Sequence, residues 1–214
     1  RKINFYGKKK RNKTHYGMKI NDNIINEIFE SLKNKSNYKK RYNEIKKFNL
    51  DNKFKKKGIA ITPVKFGISF TTIHLNQAGA LVNVYTDGSI HMNHGGIEMG
   101  QGTHTKIAQL VSNSFGVPYE KVQITSTNTS KVPNTSASAA SSTTDLNGAA
   151  TLDAVSKIKS NLNKFIKKKY KIFSKIEPVY KNSNIYFDNR IFSFEQIVKE
   201  AYLNRVSLSS SGFY

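Results

Sequence analysis

With 214 residues, of which 37% are hydrophobic and 11% aromatic, the chain has enough apolar material for a sizeable core in one large domain or two small ones, which excludes a disordered tail. Zero cysteines exclude disulfides and any thiolate-held zinc or iron–sulfur cluster on this polypeptide, and with no apolar run near the ~18 residues of a membrane span and no signal-peptide pattern the expected location is cytoplasmic. The net charge of +21 sits on the flanks: residues 1–57 hold 19 Lys and Arg against 5 Asp and Glu, residues 155–214 hold 12 against 4, and the centre, 58–154, holds 4 against 5.

Lysine dominates the flanks and is accompanied by many asparagines, a compositional bias more than a phosphate-reading patch, so nucleic acid is not the expected partner. Residues 1–57 read as a lysine-rich, mostly helical connecting segment. Asp22 is the expected cap of a helix carrying Ile24, Ile25, Ile28, Phe29 and Leu32, and a second helix is expected from Tyr38 to Phe48. Character changes at Gly58, where 58–62 and 67–71 read as strand segments broken by Pro63. Leu81 to Tyr85 is a third strand, and Asp87-Gly88 between alternating residues predicts a β-hairpin. A helix from Thr103 to Phe115 follows, ended by Gly116 and Pro118, then a short strand at 122–124. Twelve of the twenty residues from Thr125 to Thr144 are Ser or Thr, which reads either as a flexible linker or as an ordered loop of small side chains crowding a polar ligand. Beyond Asp145-Leu146-Asn147-Gly148 an amphipathic helix presents Leu152, Val155, Ile158, Leu162, Phe165 and Ile166, closed by Lys167 to Lys169 where cations suit the helix dipole. Residues 185–194 predict a hairpin around Asp188-Asn189 and 195–202 a short helix, while Ser209 to Tyr214 offers no terminating signal. The fold class expected is α+β: mixed sheets with packed amphipathic helices.

The stretch with the densest chemical signal is Gly95-Gly96-Ile97-Glu98-Met99-Gly100-Gln101-Gly102, which opens directly into the helix at Thr103. A glycine cluster at a helix start presents unpaired N–H groups, suited to an anionic or carbonyl-rich ligand. Gln101, between two glycines, can offer both a donor and an acceptor. The two standard nucleotide-loop spacings are not met. Glu98 reads as a hydrogen-bonded loop carboxylate more than a catalytic acid. His91, His94 and His104 match no standard zinc spacing and read as structural or exposed.

Three blocks in order carry a resemblance. They are Lys65-Phe66-Gly67-Ile68-Ser69-Phe70-Thr71; Tyr85-Thr86-Asp87-Gly88-Ser89 running into Gly95 to Gly102; and Val132-Pro133-Asn134-Thr135-Ser136 through Ala139-Ala140-Ser141 to Asp145-Leu146-Asn147-Gly148. Together with Leu75-Asn76-Gln77-Ala78-Gly79-Ala80, they resemble the molybdopterin-binding domain of the xanthine dehydrogenase and aldehyde oxidase family of molybdenum hydroxylases. The dense match covers 58–150 within a domain portion running 58–214. The resemblance implies cofactor binding by Met99, Gly100, Gln101 and Gly102 on one loop and by Ser138, Ala139, Ala140, Ser141 and Thr143 on a second. The Ala140 backbone would lie nearest the molybdenum, without being a side-chain ligand. Phe70 and Thr71 would contact a purine or related N-heterocycle, and the Phe-Thr pair resembles the purine-oxidising branch more than the aldehyde oxidase branch. Ser138 stands where threonine is common in relatives and Ala137 where proline is; both keep the loop small.

The same resemblance implies molybdopterin on this domain, and [2Fe–2S] clusters and FAD on other segments or subunits of a complete homodimeric enzyme. The family's upstream glycine-rich loop, its substrate-binding arginine and glutamate, and its late glutamate base have no counterpart in these residues. The chain therefore reads as truncated at both ends and, alone, without turnover. The alternatives are a basic nucleic-acid-binding module working through the lysine-rich flanks, and a remnant that folds poorly.

Overall fold

The computed structural model describes residues 1–131 and 134–214, and the first two helical patterns of the sequence stand in it as helices. These are α1 (Ile25–Lys35) and α2 (Tyr38–Asp51), both within a compact unit of residues 1–67. Asp22 does not cap α1. The N-cap position is Ile24, and it is Asn23 whose Oδ1 accepts the Ile25 N–H, at 3.4 Å. Neither helix has a buried residue, and Ile24, Ile28 and Leu32 each stay more than half exposed.

The strands expected at 58–62 and 67–71 are not formed; no ladder pairs them among the described residues. Alternation supplies the side chains of a strand, but the backbone becomes one only when its N–H and C=O groups find a neighbouring edge. Pro63 removes one of those donors.

Residues 68–214 form the second compact unit. It runs β1 (Gly79–Val84), β2 (Ile90–His94), α3 (Thr103–Phe115), β3 (Val122–Ile124), α4 (Thr143–Lys169), β4 (Val179–Lys181), β5 (Asn184–Phe187), β6 (Arg190–Ser193), α5 (Phe194–Leu203) and β7 (Ser209–Phe213). A mixed sheet in the order β3-β2-β1-β7 joins β2 parallel to β3, with the other pairs antiparallel. The Asp87-Gly88 hairpin is present: Val84 pairs with Ile90, and Asp87 Oδ1 accepts both the N–H and the hydroxyl of Ser89. A smaller antiparallel sheet, β4-β5-β6, includes the hairpin expected around Asp188. The architecture is α+β.

Helix α4 is the spine of this unit. Leu146, Ala150, Ala154, Ile158, Leu162 and Ile166 recur at every fourth position and are all buried, a stripe ~30 Å long at 1.5 Å per residue. Leu152, expected on that face, is instead 39% exposed. It lies off the stripe. The stripe packs against β1, β7 and α3, and the core continues through Ile107, Val111 and Phe115 to Ile185, Phe187, Phe194 and Ile197. Phe115 anchors that far end, with ring centroids 5.6 Å from Phe194 and 6.4 Å from Tyr180.

Two strands escaped sequence reading, β4 and β7. β7 is formed by contact. A Cβ on Gly212 would sit 1.9 Å from the Ala150 carbonyl oxygen, so this strand lies directly on the helix backbone where two alanines leave room. No helix among the described residues is long and apolar enough to cross a membrane.

Candidate cofactor site

The first loop leaves β2 at His94 and enters α3 at Thr103. Gly100 and Gly102 take φ of +97° and +77°, the left-handed backbone that glycine adopts without a Cβ penalty. The turn they make folds two side chains back on their own loop. Gln101 Oε1 accepts the Met99 N–H at 2.6 Å, and Gln101 Nε2 donates to the Ile97 carbonyl at 2.8 Å. Glu98 accepts three backbone N–H groups, from Gly100 and Gly102 at 2.9 Å and from His104 at 3.0 Å. Those donors, led by His104 and Gly102, hold its carboxyl down to about 2. Two of the N–H groups expected to be unpaired at this helix start, those of Gly102 and His104, are therefore taken by an anion the chain supplies itself.

Behind the loop lies a histidine pair. His94 is buried, its Nδ1 accepting the Gly96 N–H at 3.0 Å and its Nε2 lying 2.9 Å from His104 Nδ1. A nitrogen that accepts leaves the ring proton on the other, so the arrangement assigns the His94 proton to Nε2, donated to His104. Burial, then the neighbouring charge of His104, depresses His94 to about 4, and Glu98 opposes this. The pair ties β2 to the start of α3.

The Ser/Thr-rich stretch is an ordered loop where it is described; Val132 and Pro133, which open its resemblance block, lie outside the described residues. Thr125 hydrogen-bonds Asn93, and Thr127 Oγ1 donates to the Gly96 carbonyl at 2.8 Å. Thr135 fills the space beside Gly95, where a Cβ would come within 2.3 Å of its methyl carbon. The Ser136 N–H donates to the Gln77 carbonyl at 3.0 Å. Small side chains and hydroxyls are what permit this closeness.

Three segments meet as a result. The Ile97 N–H donates to Ser138 Oγ at 2.7 Å, joining the first loop to the second across 41 residues. The Ser69 N–H donates to the Ala140 carbonyl at 3.1 Å, bringing the residue before Phe70 to the second loop. Phe70 itself is clamped by Asn76, which accepts its N–H at 2.9 Å and donates to its carbonyl at 2.8 Å. Thr143 faces Gly96, where a Cβ would come within 2.7 Å of its methyl carbon, and the Thr103 and Thr144 hydroxyls lie 3.5 Å apart where α3 and α4 begin. Met99, Gly100, Gln101, Ala139 and Ser141 are exposed around this junction, and Ser138, Ala140 and Thr143 half-buried. Phe70 is half-buried. Thr71 is exposed, and its side chain makes no hydrogen bond among those described.

Two features suit a large polar ligand. Gln101 uses one donor and one acceptor within its loop, and a carboxamide has one more of each to give. Ala140 and Ser141 both adopt left-handed φ, +52° and +53°, which turns the second loop sharply just past Ser138, at about 1 kcal/mol or more per non-glycine residue. Sequence reading gave no role to Thr127, nor to Ser69 and Asn76 within their motif blocks; their polar types are ordinary in loops, and only the three-dimensional partner shows what they hold.

The family model of the molybdopterin cofactor-binding domain matches residues 31–214. The chain is 43% identical to xanthine dehydrogenase of Dictyostelium discoideum and 44% identical to xanthine dehydrogenase/oxidase of Gallus gallus, over its whole length in both cases. It spans 14% of the length of each of these relatives. In fold it is similar to CO dehydrogenase from Oligotropha carboxidovorans, with a TM-score of 0.58 at 20% identity, and to quinoline 2-oxidoreductase from Pseudomonas putida 86, with 0.56 at 19%. Each alignment covers 64% of this chain, and 18% and 19% of the other. The chain belongs to the molybdopterin cofactor-binding domain family.

Proposed function

We propose that this chain supplies cofactor-holding loops and part of the substrate pocket of a molybdenum hydroxylase acting on purines or related N-heterocycles. The observation that carries the reading is the Ile97–Ser138 hydrogen bond, which seats two loops of small residues against each other. Such loops hold a ligand through peptide groups, and the spare donor and acceptor of Gln101 complement the amide-like edge of a pterin. A molybdenum–pterin centre supplies the oxygen-insertion chemistry when bound, which protein side chains do not provide. The chain's own part is to bind and orient. Met99, Gly100, Gln101 and Gly102 would hold the cofactor from one side, and Ser138, Ala139, Ala140, Ser141 and Thr143 from the other, with the Ala140 backbone at the molybdenum end and no side chain serving as ligand. Phe70 presents a ring for a flat heterocycle, and Thr71 a hydroxyl for a ring carbonyl or nitrogen. A site that hydrogen-bonds a substrate group rejects analogues lacking it, which favours purines over simple aldehydes.

In this reading the [2Fe–2S] clusters, the FAD and the catalytic base belong to other segments of a homodimeric, cytoplasmic enzyme. The test is Gln101→Ala in the full-length protein. Molybdenum per polypeptide should fall several-fold, and purine oxidation with it. Full molybdenum content with unchanged activity would remove Gln101 from the site.

A further inference from the structure

Glu98 has no part in the reading above, yet it is the most engaged side chain of the first loop. Its Oε1 takes the N–H groups of Gly100 and Gly102, and its Oε2 takes that of His104. With the two bonds of Gln101 to Met99 and Ile97, five hydrogen bonds from two side chains cross-link residues 97–104. Every donor and acceptor of these bonds lies inside the loop and the first turn of α3. The turn is therefore set by the chain itself and needs no ligand to close it.

We propose that Glu98 is the positioning residue of the cofactor loop: an internal anion at the start of α3 that fixes the Gly100–Gly102 turn and so aims Gln101 before any cofactor arrives. The inference deepens the proposed function and rests on Gln101 being a cofactor contact. Two consequences follow from the geometry. A second anion at the start of α3 would meet the Glu98 carboxylate, which already holds the Gly102 and His104 N–H groups. The Gln101 amide is also presented without the ordering cost that a slack glycine turn would impose, since glycine has more backbone freedom to lose than other residues. The ionised form is the working one, with its carboxyl held far below neutral pH.

The experiment uses the full-length protein made in cells that lack the pterin and in cells that make it. In the cofactor-free protein, amide hydrogen exchange at Gly100, Gly102 and His104 should be about tenfold or more faster in Glu98→Gln than in wild type, as losing charge-assisted bonds predicts. Exchange in α4 and β1 should not change. In cofactor-making cells, Glu98→Gln should load several-fold less molybdenum. Glu98→Asp is smaller but keeps the charge, and should recover more protection and more loading than Gln; this comparison decides the matter if Glu98→Gln folds poorly. Equal exchange in wild type and Glu98→Gln, full loading despite fast exchange, or an Asp variant no better than Gln would each overturn the proposal. The exchange measurement involves no cofactor, so it can fail while Gln101→Ala still abolishes loading, and the reverse outcome would remove Gln101 and leave the clamp standing.

Discussion

His94 shows how one residue can be set by its neighbours on every side. Its Nδ1 is committed to the Gly96 N–H and its Nε2 to His104, and burial with the His104 charge keeps it neutral down to about pH 4. An unfolded histidine takes its proton near 6.5. Between pH 6.5 and 4, then, only the unfolded chain binds this proton, and folded stability falls as the pH drops through that window, by at most about 3 kcal/mol. Glu98 and Glu200, both held down to about 2, act in a lower window. Their contribution is present above an unfolded value near 4.5 and is lost as pH falls toward 2. Substituting His94→Asn keeps an acceptor for Gly96 and removes the titration. Denaturant midpoints measured from pH 7 to 4.5 should slope clearly in wild type and flatten in the variant; parallel slopes would dismiss His94 as the cause. From sequence, His94 was legible only as structural or exposed. Which of the two it is depends on His104, ten positions away on another element.

At the scale of elements, contacts decided where local pattern ran short. The C-terminal half of the α4 stripe, the hairpin at Asp87-Gly88 and the helix ended by Gly116 were legible because their periodicity and turn chemistry are local. Ala150 and Ala154 were missed because alanine carries little hydrophobic signal. The glycine-rich loop stood out by composition, whereas the Ser/Thr-rich stretch could be read as linker or ordered loop, because composition alone does not show which groups its hydroxyls meet. The bonds Ile97–Ser138 and Ser69–Ala140 were not legible, because a backbone N–H carries no sequence mark. Strands 58–62 and 67–71 had the alternation and lack an edge to pair with. β7, written Ser-Ser-Ser-Gly-Phe, has poor strand propensity yet pairs with β1 from Gly79 to Asn83, because Gly212 lets it lie on Ala150 and Ala154. Gly212→Ala should therefore destabilise the fold by roughly 3 kcal/mol, at the upper end for overpacking, since the added carbon meets backbone that cannot turn aside. Urea unfolding alongside Ser210→Ala, on the same strand, provides the check. If both variants melt alike, the close approach of strand to helix is wrong.

Across the whole molecule, core and charge are unevenly divided. Every buried apolar side chain described lies between Ala78 and Leu208, while the unit of residues 1–67 buries only Thr14 and Asn23. Residues 1–57 also carry 19 Lys and Arg against 5 Asp and Glu, so their self-repulsion opposes compaction. The pairs Lys2–Glu30 and Lys8–Glu27 are exposed and screened by solvent, so they offset little of that repulsion. Helices α1 and α2, of 11 and 14 residues, are near the length at which isolated helices are marginal in water. Cooperative unfolding needs a shared core, and only residues 68–214 have one. Made separately, residues 68–214 should give a sigmoidal thermal transition by circular dichroism. Residues 1–67 should give a weak helical signal that strengthens with salt and declines gradually on heating. A sharp, salt-independent melt of residues 1–67 would mean that the lysine-rich unit holds itself together by something other than apolar burial.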